Sequence, residues 1–175
     1  MHEYSSSADL VGLREEPVPA PTARQPGSHR LLVQSFILIA ILWAGVLFGV
    51  DFIATPAKFL SPLASLPIDI DIGRRTFGVF NRVEDLFAAL LLSVTLALPR
   101  IGLRRRAVLL LPLVPFAIKS FWLWPILDLD AIQVVGGLPS TEDDLHLVYV
   151  GLVVAQVILL FANGTNMLRR AMRAP

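Results

Sequence analysis

The chain has 175 residues, 55% of them hydrophobic and only 17% charged, where an ordinary soluble domain carries about 25% charged residues. Fifteen Lys and Arg stand against fourteen Asp and Glu, a net charge of +1 that excludes a nucleic-acid binder built on bulk positive charge. There is no cysteine, which excludes disulfides, thiol catalysis, Cys–zinc sites and iron–sulfur clusters, and the mean hydropathy of +0.67 points to a membrane protein.

Residues 1–30 are polar and rich in proline, with Ser5, Ser6, Ser7 and the Glu15–Glu16 pair. Such a stretch buries too little apolar surface to offset its ordering entropy, so it reads as a disordered tail. A signal peptide would place its apolar run nearer the start. Four apolar stretches follow, at about residues 31–53, 77–98, 107–124 and 145–163, inside a membrane domain over 31–165. Each is close to the ~20 residues that a helix needs to cross ~30 Å of hydrocarbon. They lack the alternation of barrel strands, and four strands are too few to close a barrel. The expected fold is therefore all-α, a four-helix transmembrane bundle. A soluble bundle with a greasy core is the competing reading, but residues 86–98 are apolar all round and leave no polar face for water. Residues 166–175 form a basic tail.

Basic residues flanking the spans set orientation. With four spans, the two tails and the middle link share one side and hold ten Lys and Arg, including Arg30, Arg104, Arg105, Arg106, Arg169 and Arg170. The other side holds three: Lys58, Arg74 and Arg75. Both termini are expected in the cytoplasm, with the chain in the inner (plasma) membrane. Trp122 and Trp124 then fall at the outer end of the third span, where an aromatic belt belongs, whereas Trp43 falls inside the first span and reads as a packing residue.

The first outer link, residues 55–76, carries Pro56, Pro62 and Pro67 among apolar residues too numerous for a freely solvated loop, so an interfacial segment is expected. After Pro67 the second helix can start early, pairing Asp71 with Arg74 or Arg75. In the other outer link, residues 125–144, Ser140 or Thr141 reads as the cap of the last span, with an acidic first turn. A divalent-cation site on Asp128, Asp130, Glu142, Asp143 and Asp144 is the sharper alternative, but the spacing of a calcium loop is missing, and no metal is expected.

A charged side chain inside a bilayer costs at least ~2.5–3.5 kcal/mol and needs an explanation. Asp51, Glu84, Lys119 and His146, one on each span, all fall in the expected outer half. Asn81 shares a helix face with Glu84, while His146, Tyr149, Val153 and Gln156 form one stripe of the last span. These residues imply an outward polar pocket lined by Glu84, His146, Tyr149, Lys119, Asp51, Asn81 and Gln156. Two readings stay open. The residues can be interhelical glue, with Lys119 snorkelling outward, or they can be a working pocket in which Glu84 and His146 relay protons or bind a cation. No nucleotide, zinc-protease or serine-hydrolase motif occurs, and only His146 lies inside a span, so no catalytic residue and no cofactor are expected.

The run LWAGVLFGVDFIATPAKF at 42–59, Leu66–Pro67, GRRTFGVFNR at 73–82 and Leu145–His146 together resemble the four-helix membrane proteins of the transmembrane-205 type, whose bacterial members carry a domain of unknown function. The resemblance covers most of residues 31–165 and rests on Gly45, Pro56, Phe59, Gly73, Arg74 and His146. The chain departs from the pattern in having Leu147 after the histidine, where Gly is usual, and Gln156 as the nearest amide to a usual Asn. The resemblance implies fold and topology more than an activity. The expected role is that of a small polytopic membrane protein, an accessory or partner subunit with an outward polar pocket. A solute, ion or proton-coupled transporter using Glu84 and His146 is the alternative, with a membrane enzyme behind both. The lipid bilayer, and a second copy or another membrane protein, are the expected partners.

Overall fold

The computed structural model describes residues 26–60, 62–63 and 65–173, all of its regular structure helical, with no strand among them. Helix α1 spans Pro26–Phe48, runs through a π segment at Gly49–Ala54, and ends as the short α2 at Thr55–Lys58. The linking residues Phe48 and Ala54 keep right-handed helical dihedrals, so these pieces form one rod. Helix α3 spans Leu66–Ala97. It starts after extended Ser65 with Pro67 in its first turn, where a missing N–H removes no helical bond. It stops at Leu98, which the following Pro99 pushes into the extended region.

The third apolar stretch is broken. Helix α4 (Leu103–Leu110) ends at Leu111–Pro112, and α5 (Leu113–Ile118) resumes at a bend of 47°. A second π segment, Lys119–Leu123, leads into α6, Trp124–Val135. Gly136 and Gly137 end it, Gly137 in the left-handed region at φ 90° that glycine tolerates. Helix α7 spans Asp143–Arg173.

Three boundaries differ from the sequence expectation. Residues 26–30 open α1 instead of closing the tail, because Pro26 suits a first helical position. The remaining tail residues, 1–25, lie outside the described residues. Helix α3 makes the early start expected beside Pro67, beginning at Leu66. Helix α6 turns the first half of the outer link, including Asp128 and Asp130, into helix. Helix α7 continues through the basic tail to Arg173, where arginines suit the negative end of the helix dipole.

Among the described residues, two helices, Gly27–Lys58 and Asp144–Arg173, are long and apolar enough to cross a membrane, and the bent pair makes a third if it is one span. Helix α3 does not join them, because residues 66–85 of it carry Asp69, Asp71, Arg74, Arg75, Arg82, Glu84 and Asp85. The burial pattern is that of a protein turned inside out. Leu38, Phe121, Leu147 and Ile158 are exposed, whereas Glu84, Lys119, Thr95, Ser120 and Gln156 are buried. A soluble monomer rarely exposes so much apolar surface. Helix α1 packs most extensively on α7, and next on α3. Phe36, Ala40, Trp43 and Leu47 of α1 share one buried apolar core with Tyr149, Val153, Leu160 and Met167 of α7. Gly164 lets the two backbones approach: a Cβ there would lie 2.9 Å from Ile41 Cγ1.

Candidate functional site

The end at which α3 and α7 begin is called upper here, and the end at which α1 begins and α7 finishes, lower. In the packed interior, Glu84 and Lys119 are each only 1% exposed. Lys119 Nζ donates to both carboxylate oxygens of Glu84, at 2.8 Å and 2.7 Å. Trp43 Nε1 and Gln156 Nε2 also donate to Oε1, at 3.2 Å and 3.3 Å. One carboxylate thus gathers donors from α1, the second π segment and α7. A charge pair in a low-dielectric interior persists only when its remaining hydrogen-bonding capacity is also met, and here the indole and the amide meet it.

The pair does not snorkel. Lys119 opens the second π segment, whose wide turn points its stem inward, and its ammonium lies 5.6 Å from the centre of the Tyr149 ring. Asp51 sits in the first π segment with Oδ2 buried and without a hydrogen-bond partner among the described residues, within Coulombic reach of Lys119 and Glu84. Both π segments precede a proline by the same interval, Pro56 after the first and Pro125 after the second. Proline clashes with the carbonyl four residues before it, and a turn closed by i→i+5 bonds accommodates this. The Thr55 hydroxyl caps the Val50 carbonyl at 2.9 Å, five residues back.

Above this plug lies an open cavity of about 630 Å³. Its walls come from α2, the first half of α3, α6 and the start of α7, and they mix apolar Phe59, Phe77, Trp124 and Leu127 with charged Lys58, Arg74, Asp128, Asp130 and Glu142. Arg74 ties α3 to α6 by donating to Asp128 at 3.4 Å, and to Asp71 within its own helix at 3.3 Å. Arg75 donates to the other Asp71 oxygen at 2.8 Å, and this bond first of all holds the half-buried Asp71 carboxyl below its ordinary value. Asp130 accepts from the Ser140 hydroxyl and from the Thr141 amide and hydroxyl. Both hydroxyls expected to cap α7 therefore serve Asp130, because α6 carries its carboxylate back to them.

Of the residues expected to line one pocket, Glu84, Lys119 and Gln156 bond directly, and Tyr149 lies against Lys119. Asn81 is half-buried and not among the partners of Glu84. His146 is exposed on the cavity wall, stacked on Tyr149 with ring centres 6.5 Å apart and planes 13° apart. Tyr149 thus stands between the histidine and the ion pair. The interior charge site and the outer cavity are two places separated by one ring, rather than one pocket. Trp43, read from the sequence as packing alone, is a ligand of the carboxylate as well. The signal available was its indole N–H, which needs an acceptor when buried.

No family model, no curated protein and no solved structure matches this chain.

Proposed function

We propose that the chain is a multi-pass membrane protein of the transmembrane-205 type, crossing the bacterial inner (plasma) membrane four times with both termini cytoplasmic. In this reading it works as an accessory or partner subunit whose outward cavity receives its partner. The observation that carries the role is the closed floor of the cavity. Tyr149, Lys119, Glu84, Gln156 and Trp43 plug the centre of the helices, so the cavity is blind and suits binding better than passage. The charges of α3 fit a fourth span because Glu84 is neutralised by Lys119, and because its 32 residues, ~48 Å long, leave the charged first turns room to project above ~30 Å of hydrocarbon. Phe59, Gly73, Arg74 and His146, four of the six residues behind the family resemblance, line the cavity together.

A cysteine-free chain makes the test direct. In intact cells, Ser140→Cys should react with a membrane-impermeant maleimide, Arg105→Cys should react only after the cells are opened, and buried Ser120→Cys should stay protected until denaturation. A photoreactive side chain at cavity residue Leu138 should trap one discrete adduct that Arg74→Glu abolishes. A labelling pattern with sides exchanged, or an adduct pattern no different from that at apolar-surface Leu38, refutes the reading. The unpartnered Asp51 oxygen beside the ion pair favours one second reading, a proton-coupled transporter. Labelling of Ser120→Cys from outside, with solute flux in proteoliposomes that Glu84→Gln stops, would put that reading first.

A further inference from the structure

A second hollow, of about 710 Å³, opens at the lower end between the start of α1, the start of α4 and the end of α7. Among the described residues, His29, Arg30, Arg105 and Arg170 line it and no acidic residue does, and none of the described residues neutralises them. No Asp or Glu occurs in residues 26–50, 86–127 or 145–173. Among the described residues none of the four is in an ion pair, and Arg105 donates only to the Met167 thioether, at 3.5 Å. A thioether is a weak acceptor, so this guanidinium keeps nearly all its donors available for an anion. The wall beside the charges is apolar, with Val33 and Ile37 of α1 facing Leu168 and Met172 of α7.

We propose that this hollow binds an anionic phospholipid of the cytoplasmic leaflet, its phosphate held by Arg30, Arg105 and Arg170 and its acyl chain laid along α1 and α7. The proposal rests on the membrane reading above. Basic residues that merely set topology have no need to converge, whereas these come from three segments distant in the chain. The apolar wall selects a lipid over a free phosphate, because a soluble anion gains nothing from it. Basic pockets between spans on the cytoplasmic side are suited to lipid headgroups.

The test uses the full chain in nanodiscs of phosphatidylcholine doped with phosphatidylglycerol, followed by detergent release and native mass spectrometry of retained lipid. Phosphatidylglycerol should be retained over phosphatidylcholine. The Arg105→Gln/Arg170→Gln double variant should lose that preference by about tenfold or more, at roughly 1 kcal/mol for each arginine. The charge-matched Arg104→Gln/Arg169→Gln variant, altered at arginines outside the hollow, should keep it. Equal loss in both doubles, equal retention of the two lipids, or displacement of the lipid by millimolar inorganic phosphate overturns the proposal. Should the chain fail to enter phosphatidylcholine bilayers at all, the membrane reading falls and takes this one with it. Entry without lipid preference sinks this one alone.

Discussion

Removing Lys119 leaves Glu84 as a buried carboxylate with two neutral donors, Trp43 and Gln156. Breaking a buried pair from one side costs about 3–5 kcal/mol. Lys119→Met should fall at the lower end, since the stem is replaced by a side chain of similar length and the carboxyl can take up a proton. Glu84→Leu should fall at the upper end or beyond it. It strands the ammonium against the Tyr149 ring, and also the indole and amide donors, at roughly 1–3 kcal/mol for each buried group left unpaired. The double variant Glu84→Gln/Lys119→Met removes both charges while keeping an acceptor for Trp43, and should recover most of the single-variant losses, because replacing a whole buried pair is often neutral or stabilising. Reversible unfolding in mixed detergent micelles measures these variants, the parent and the Glu84→Gln single that closes the cycle. The reasoning is refuted if Lys119→Met stays within about 0.5 kcal/mol of the parent, or if the double loses the sum of the Glu84→Gln and Lys119→Met singles, since independent sites add and coupled ones do not.

Three further outcomes are expected. Gly164→Leu should destabilise by about 1–3 kcal/mol through overpacking against Ile41, and Ile41→Ala should restore part of it, which thermal melts of the single and double variants will show. Trp43→Phe should keep the stacking on Phe87, 5.8 Å away, and lose only the bond to Glu84, about 1 kcal/mol; Trp43→Ala should lose about 3–5 kcal/mol, and similar losses for the two would contradict the assigned role of the indole N–H. The Asp71 carboxyl is held below its ordinary value of 3.8, mainly by Arg75, so its contribution is present above that pH and is lost as pH falls through the lower folded value. Melting curves of the parent and Asp71→Asn should therefore keep a constant offset down to about pH 4 and converge only in stronger acid; convergence already at pH 6 would show that the pairing with Arg74 and Arg75 does not persist in solution.

Hydropathy located the helical stretches and singled out Glu84, Lys119, Tyr149 and Gln156, because charged and amide groups inside apolar runs are conspicuous. Which of them meet was not legible. The Glu84–Lys119 contact joins residues 35 apart on different helices, and no local periodicity encodes it. Three-four spacing put His146 on one stripe with Tyr149, Val153 and Gln156, yet only the last three are buried, because the stripe runs out of the packed interior at its first turn. The same spacing continues in the buried Leu160, Asn163 and Met167. The apolar length of residues 107–124 hid the helical continuation to Val135. Proline reads as a terminator, and here a wide turn ahead of Pro125 absorbs it.

Those wide turns also set rotational phase. The inward face of α1 recurs at Phe36, Ala40, Trp43 and Leu47, and at 3.6 residues per turn Asp51 and Thr55 would each drift about 40° further round the cylinder. The looser winding of Gly49–Ala54 takes up that drift, so that Thr55 and Lys58 still reach the mouth of the upper cavity. Deleting a single residue there would let the coil tighten, and seven residues at about 100° each fall only about 20° short of two full turns, so the α2 wall would still face the cavity and the wide turn acts as a slack that absorbs a change in chain length.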